Sequence, residues 1–359
     1  AFRNWKAAHA RQRRAARVDL VLITWLLIPV LFNVRHSLEL HLHSFALIVP
    51  AAYLIAGRGI DALASGGLQY PSFRRVMRIA GLATVSWLVA SQIVALVLMA
   101  RFVANHDTPG GFGRPLGQYL TAANRAVEAV KEGEATEVLV VGEGDLPATD
   151  ATPAIVDILL RGRAPDRFVE GSSTAVFPPH PAVAGISPDS GDGAGLYDSG
   201  PAEALPGGYR LVYLDASWPS DDLLPFHGPR TFENGVELQG YRWQGSAIPA
   251  GEVSVWLLWQ VLWLNPDDSH FSLHLLDDGN QSLGQQDTEG YPSAYRRKGD
   301  RILSKFTVNI AEQAQPGPYR ARVGLYLYPE VVSLSVLDGA GNPAGEAVFT
   351  DLVIEGILE

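Results

Sequence analysis

Residues 79–100 read IAGLATVSWLVASQIVALVLMA, a run of 22 residues that contains no charged side chain. A helix needs roughly 20 consecutive apolar residues to cross the hydrocarbon core of a bilayer, with ~17 as the lower limit. The length and composition of this run therefore predict a membrane-spanning helix.

Two further apolar runs precede this segment. Residues 18–34 contain one charge, Asp19, and predict a second spanning helix. Residues 42–57 are short for a complete crossing, so a re-entrant or tilted segment remains an alternative there. We expect three transmembrane helices within residues 18–102, at about 18–34, 42–57 and 79–100.

The distribution of charge predicts how these helices are oriented. Residues 1–102 contain 12 Lys and Arg against 3 Asp and Glu, whereas residues 103–359 contain 16 against 35. The basic residues precede the first run and separate the second from the third, and such clusters remain in the cytoplasm. The sequence thus predicts a multi-pass plasma-membrane protein with a cytoplasmic N-terminus (1–17) and extracytoplasmic residues 103–359. No small-residue cleavage site follows the first run, which argues against a signal peptide.

The acidic part of the chain divides into predicted segments of different type. A turn-rich linker (103–114) precedes an α/β module (115–214), in which an amphipathic helix starts at Pro115 and a buried strand occupies 138–141. Residues 178–208 of this module are rich in Gly, Pro, Ser and Asp and predict a loop. A second linker (215–231) then leads to an all-β region (232–359).

Strand patterns dominate the last third of the chain. Six runs rich in β-branched and aromatic residues are separated by turn signals, which is typical of a β-sandwich. We predict a jelly-roll-like strand order. The runs are 253–264, 270–276, 301–310, 319–328, 331–337 and 347–354.

Several residues are candidates for binding sites. Trp218, Tyr241 and Trp243 could form an aromatic platform for a sugar ring, although core packing is the more frequent role of aromatic residues in a sandwich. Arg35 and His36 lie at the predicted external end of a helix, where a cation can bind a lipid phosphate or simply extend to the headgroups.

The sequence excludes some chemistries and leaves others open. There is no cysteine, so disulfides and thiolate metal sites are absent. No cofactor is indicated, and a divalent metal remains open because His36, His41 and His43 lie near Glu39 without a recognised spacing. Gly142 and Gly144 predict a tight turn rather than a dinucleotide site. The acidic domain is unsuited to nucleic acid.

Three stretches carry a resemblance to a known family. Residues 34–40 (VRHSLEL) and 45–59 (FALIVPAAYLIAGRG) resemble the late transmembrane region of polytopic GT-C glycosyltransferases of the protein O-mannosyltransferase and aminoarabinose-transferase type. Residues 138–145 (VLVVGEGD) and 316–326 (PGPYRARVGLY) are similar to external domains of some bacterial members. His36 stands where the family has an aromatic partner.

The resemblance implies a C-terminal portion of an integral membrane glycosyltransferase whose catalytic N-terminal half lies upstream of Ala1. Such enzymes use a polyprenyl-phosphate-linked sugar donor and a glycan or protein acceptor, in contact with membrane lipid. Arg35 would contact the donor phosphate, no position matches the family's catalytic acid, and this chain alone would be inactive. The alternatives are a membrane-anchored extracytoplasmic carbohydrate-binding protein and a structural or assembly subunit.

Overall fold

The computed structural model divides the chain into two compact units, Ala1–Leu116 and Gly117–Glu359. The residues that the structure describes are 16–28, 31, 49–65, 71–108, 112–197, 200–215, 223–225, 230–245, 248–277, 279–314 and 317–354.

The first unit contains helices α1 (16–28), α2 (Val49–Ser65) and α3 (Pro71–Asn105). One helix in the described part of the chain is long and apolar enough to cross a membrane, over Ile79–Asn105. No part of this apolar stretch is buried against other residues, and side chains such as that of Trp87 are exposed. The predicted run 79–100 therefore lies inside a longer helix.

The second helix differs from its prediction. The apolar run was expected to end at Gly57, but α2 continues to Ser65 and includes Arg58. The charge is accommodated because Arg58 Nε lies 2.6 Å from Asp19 Oδ1 on α1. The first part of the run, 42–48, and residues 29–30 and 32–34 of the first run lie outside the described residues.

The second unit begins with an α/β module. Helix α4 (Leu116–Lys131) buries the side chains of Tyr119, Ala123 and Val127, which recur at helical spacing, and it packs on a mixed sheet. A second helix, α5, covers Ala151–Leu160. The strands of this part of the chain are β1 (Val138–Gly142), β2 (Asp166–Glu170), β3 (Thr174–Phe177), β4 (Ala182–Ile186), β5 (Ala202–Ala204) and β6 (Arg210–Leu214).

The sheet of the module has the order β2-β1-β4-β6-β5. Strand β1 is parallel to both β2 and β4, whereas β6 is antiparallel to β4 and β5. The prediction of a loop across 178–208 is wrong at Ala182–Ile186, which forms a central strand. Its residues are small and apolar, so they fit beneath helices without giving a strong β signal in the sequence.

The remaining strands form a sandwich of two antiparallel sheets. They are β7 (Leu224–Pro225), β8 (Thr231–Phe232), β9 (Val236–Gly245), β10 (Glu252–Val261), β11 (Ser269–Leu276), β12 (Ser282–Thr288), β13 (Arg301–Asn309), β14 (Gly317–Leu327), β15 (Val332–Ser333), β16 (Val336–Leu337), β17 (Pro343–Gly345) and β18 (Val348–Ile354). Among the described residues, three short 3₁₀ helices lie at Gly191–Tyr197, Pro206–Gly208 and Ser293–Tyr295.

The strand order of the sandwich is not that of a jelly roll. The first sheet runs β17-β16-β8-β9-β10-β13-β3 with β7 on β9, and the second runs β12-β11-β14-β15 with β18 on β14. Consecutive strands β9 and β10 pair in the first sheet, and the chain then crosses to the second sheet, where β11 and β12 pair. This is the immunoglobulin type of order, and the jelly-roll prediction is therefore wrong.

Strand β3 belongs to the module in sequence but to the sandwich in space. It pairs antiparallel with the edge of β13, with Phe177 opposite Arg301 and Thr174 opposite Ser304. Its side chains are fully or almost fully buried. The module and the sandwich thus share a sheet and one continuous hydrophobic core.

A buried ionic network joins the same two parts. The Arg167 guanidinium on β2 lies 2.6 Å from Glu137 and 2.5 Å from Asp300, and the exposed fraction of these three side chains is 2, 1 and 0%. Arg297 also contacts Glu137 at 2.5 Å. Because ions leave water only when they are paired and hydrogen-bonded, the network specifies one mutual arrangement of β1, β2 and the start of β13.

Replacing Arg167 should destabilise the second unit strongly. Arg167→Met leaves two buried carboxylates without their shared cation, and we expect a loss of about 3–5 kcal/mol in the free energy of unfolding. Urea denaturation followed by tryptophan fluorescence measures it. The control Arg161→Met removes the more exposed pair with Asp157 and should cost no more than about 1 kcal/mol. Equal losses in both variants would contradict the importance assigned to the network.

Candidate functional site

The residues predicted to bind ligands fall into two groups. Arg35, His36 and Trp218 lie outside the described residues. Tyr241 and Trp243 lie on β9 opposite Leu257 and Val255, and their half-buried rings pack against the core. Their predicted role in carbohydrate binding stays a prediction.

The other tryptophans follow the alternation expected for a strand. Trp259 is fully buried between Phe232 and Phe271, with ring centroids 6.2 and 4.8 Å away. Trp256 lies on the opposite face of β10, where the Arg242 guanidinium is 4.8 Å from its ring. Both rings are well buried, which is consistent with packing roles.

A polar cleft lies on the outer face of the second sheet. The core side of β11 and β14 is apolar, whereas the alternate residues facing away are polar or small. The cleft encloses about 160 Å³ and opens to solvent, so it is smaller than the ~300–1,000 Å³ of typical small-molecule sites. Its lining consists of Ser272, His274, Asp287, Arg322, Gly324, Leu325, Tyr326, Val331, Ser333 and Glu346.

The cleft arises where β14 changes partner. Strand β18 pairs with β14 as far as Val323, and β15 begins to pair with it at Tyr326. Gly324 lies between these points, opposite Ser272. A Cβ atom at Gly324 would lie 3.1 Å from Ser272 Oγ and 3.7 Å from the Glu346 carbonyl oxygen, so the absent side chain forms the floor of the cleft.

The lining of the cleft contains both positive and negative side chains. Within the described residues, the side chains of Arg322 and Glu346 form no hydrogen bond or ion pair. Arg322 is half-buried, whereas Glu346 is exposed. A half-buried charge usually finds a partner, because removing its hydration is costly. The unpaired Arg322 guanidinium therefore indicates a polar ligand in the cleft.

The third charged residue in the cleft, Asp287, already has partners within the protein. Tyr326 donates its hydroxyl hydrogen to Asp287 Oδ2 at 3.2 Å, and His274 Nε2 lies 3.6 Å from Oδ1. Burial lowers the pKa of His274, the Arg322 guanidinium lowers it further, and Asp287 opposes both effects. The imidazole is consequently neutral at pH 7 and can accept or donate one hydrogen bond.

The lining of the cleft includes an aromatic ring and a strained residue. The ring of Tyr326 lines the cleft, and its centroid is 5.5 Å from that of His270, which stacks on Tyr328 with centroids 4.4 Å apart and 9° between their planes. Val331 has a φ of +57° although it is β-branched, and 67% of its surface is exposed. A β-branched residue held in the left-handed region is costly, and such strain concentrates at binding sites.

This arrangement suits binding rather than nucleophilic catalysis. Ser272, His274 and Asp287 share one face, but the Ser272 hydroxyl donates to the Gly324 carbonyl oxygen at 3.2 Å and not to the imidazole. A nucleophile must lie within hydrogen-bond reach of its base. Within the described residues, no three His, Asp or Glu side chains are grouped so as to hold a metal ion.

Comparison with known proteins does not identify a family. No family model matches the sequence, and no curated protein matches it. Weak structural similarities include the C-terminal domain of wzt (14% identity, 38% of this chain and 86% of that chain, TM-score 0.26). Others are AT1g01470 from Arabidopsis thaliana (10%, 40% and 91%, TM-score 0.22) and the CARDB domain of PF1109 from Pyrococcus furiosus (12%, 39% and 100%, TM-score 0.20). Similarities this low carry no functional argument.

A second group of polar residues lies in the loop that follows β1 in the α/β module. Gly144 has a φ of +80°, and a Cβ atom there would lie 2.2 Å from the Asp150 carboxylate, which explains the glycine. Asp150 precedes α5, but its carboxylate accepts the Leu146 N–H at 2.8 Å instead of capping the helix. Burial, and then the charge of Asp150, raise the pKa of Asp145 from 3.8 to about 6.

Asp145 should make the stability of the second unit depend on pH. Its folded-state pKa of about 6 exceeds the ordinary value of 3.8, so the folded state binds its proton more tightly. Stability from this group is therefore present below the unfolded pKa and is lost as the pH rises through the folded one. Asp145→Asn should raise the melting temperature at pH 8 and flatten its profile between about pH 4 and 6.

Thermal denaturation across this pH range, read by circular dichroism, measures the effect. Glu143→Gln removes an exposed carboxylate from the same loop and is the matched control. An Asp145→Asn profile as steep as that of the unmodified protein would contradict the assignment.

Proposed function

We propose that the second unit binds saccharide on the extracytoplasmic side of a membrane, and that the helices of the first unit anchor it there. The polar cleft on the second sheet is the observation that carries the proposal. It combines hydroxyl, carboxylate, imidazole and guanidinium groups with an aromatic ring on a rigid sheet.

A sugar matches this combination better than other small ligands. Each sugar hydroxyl both donates and accepts hydrogen bonds. One hydroxyl can therefore accept a hydrogen bond from the Arg322 guanidinium and donate one to the Glu346 carboxylate. The C–H faces of a sugar ring pack on aromatic side chains, and Tyr326 supplies one in the lining of the cleft. An apolar ligand would leave the charged groups unsatisfied.

The membrane anchor is proposed from α3 and supported by the contacts around it. The chain passes from α3 into α4 through residues 106–115, so a spanning α3 would tether the second unit directly. Asp19 pairs with Arg58, and a Cβ atom at Gly81 would lie 3.3 Å from Ile60 Cγ2. These contacts bring the start of α1, the second half of α2 and the start of α3 together. That favours the multi-pass topology with a cytoplasmic N-terminus.

Labelling of single cysteines tests this topology, because the protein has none of its own. Ser282→Cys should react with a membrane-impermeant maleimide in intact spheroplasts. Val76→Cys, just before the apolar segment of α3, should react only after lysis. Both positions are exposed in the structure. Reaction of both, or of neither, in intact spheroplasts would contradict the topology.

A binding measurement tests the cleft. Gly324→Val places a branched side chain on its floor, and the affinity for any saccharide found on a glycan array should fall at least about tenfold, or about 1.4 kcal/mol. Gly345→Val is the matched control, since a Cβ atom there meets nothing within 4 Å. Equal binding by both variants, with unchanged melting temperatures, would place the ligand elsewhere.

A second candidate function is the C-terminal portion of a glycosyltransferase that uses a polyprenyl-phosphate-linked sugar. The resemblance around Arg35 favours it, and so do the exposed apolar side chains of α1 and α3, which suit lipid or further helices. We expect the protein isolated from its own membranes to be much larger than 359 residues. There, Arg35→Gln should reduce glycosyl transfer without altering glycan binding by the cleft. A native mass equal to that of these residues would contradict this candidate.

A further inference from the structure

We infer that the cleft selects an uncharged saccharide, which Arg322 and Glu346 hold from opposite sides of Gly324. This inference rests on the saccharide-binding function proposed above and adds the class of sugar. It follows from the positions of the charged side chains in the cleft and from the hydrogen bonds and ion pairs that each of them already forms.

The two unpaired charges flank the floor of the cleft. Arg322 and Gly324 are alternate residues of β14 and project from the same face. On the other side of β14, the Glu346 carbonyl oxygen lies 3.7 Å from the position of a Cβ atom at Gly324. Arg322 and Glu346 both line the cleft and do not form a salt bridge, so both side chains remain available to a ligand above Gly324.

An anionic sugar fits this arrangement poorly. It would gain from Arg322 but face the carboxylates of Asp287 and Glu346 in the same cleft. His274 adds no positive charge near neutral pH, because burial and Arg322 lower its pKa. Residues 103–359, with 35 acidic and 16 basic side chains, repel anions at longer range as well.

A cationic sugar is disfavoured by the positive charge of Arg322. Arg322 would repel an ammonium group placed above Gly324, and Asp287 already accepts a hydrogen bond from Tyr326. Neutral hydroxyls satisfy every group at once. The guanidinium donates to one oxygen, and the Glu346 carboxylate accepts from a neighbouring hydroxyl.

Charge-matched oligosaccharide pairs test the inference on the full chain in lipid nanodiscs. The probes are chitotetraose and its de-acetylated, cationic form, and methyl-esterified tetragalacturonate and its free, anionic form, alongside an array of other neutral, acidic and amino oligosaccharides. Wherever a pair binds, its uncharged member should bind at least about tenfold more tightly. Its dissociation constant should change less than about twofold between about 0.05 and 0.5 M salt, because screening does not act on a neutral ligand.

Side-chain variants connect that selectivity to the two residues. Arg322→Gln and Glu346→Gln should each weaken binding of the neutral sugar about tenfold, since each removes a charge-assisted hydrogen bond. Arg320→Gln is the matched control, because Arg320 hydrogen-bonds Asn280 and does not line the cleft. It should change the affinity less than about twofold.

The outcomes separate this inference from the proposed function. Tighter, salt-sensitive binding of an acidic or amino sugar that is lost in Gly324→Val would overturn the inference and leave the saccharide site standing. Neutral binding that is indifferent to both Arg322→Gln and Glu346→Gln would also overturn it. Absence of binding to every sugar on the array would overturn the proposed function and the inference together.

Discussion

The guanidinium of Arg167 is the point on which the second unit depends. It lies between Glu137, which precedes β1, and Asp300, which precedes β13, so one buried cation fixes the starts of strands from two differently built sheets. With those starts fixed, β3 meets the edge of β13 in a single register. A buried ion pair adds little net stability, but it penalises every other arrangement strongly.

The rigidity gained there extends to the face that carries the cleft. β13 belongs to the first sheet, and the core side chains of β10 and β13 pack against those of β11 and β14. The outer face of β11 and β14 takes no part in this core. It can therefore hold unmatched charges and a strained residue, Val331, without loosening the sandwich. Binding residues on a rigid scaffold lose little freedom when a ligand arrives.

Much of the fold could be predicted from the sequence, and the exceptions have physical reasons. The strand predictions at 253–264, 270–276 and 301–310 are confirmed within a few residues because those runs are β-branched and aromatic. β12 was missed because Ser282–Thr288 is mostly polar and faces solvent. Strand order escaped prediction, since hydrophobic alternation does not record which strands become neighbours.

The candidate cleft was missed for a related reason. The aromatic residues drew attention to Tyr241 and Trp243, which the structure places against the core. The useful signal was weaker: polar residues at alternate positions of β11, from His270 to His274, in an otherwise apolar strand. Its meaning depends on Arg322, Gly324 and Glu346, which only the pairing of β14 with its neighbours brings to the same place.

The position of β3 has a consequence for how the protein can be divided. A fragment that begins at residue 232 would contain every strand of the sandwich from β9 onward, yet it would leave the backbone of β13 without a partner along Arg301–Ser304. An open, flat strand edge of this kind recruits the edge of another molecule. The α/β module therefore acts as a built-in guard against self-association, and its removal would favour oligomers joined strand to strand.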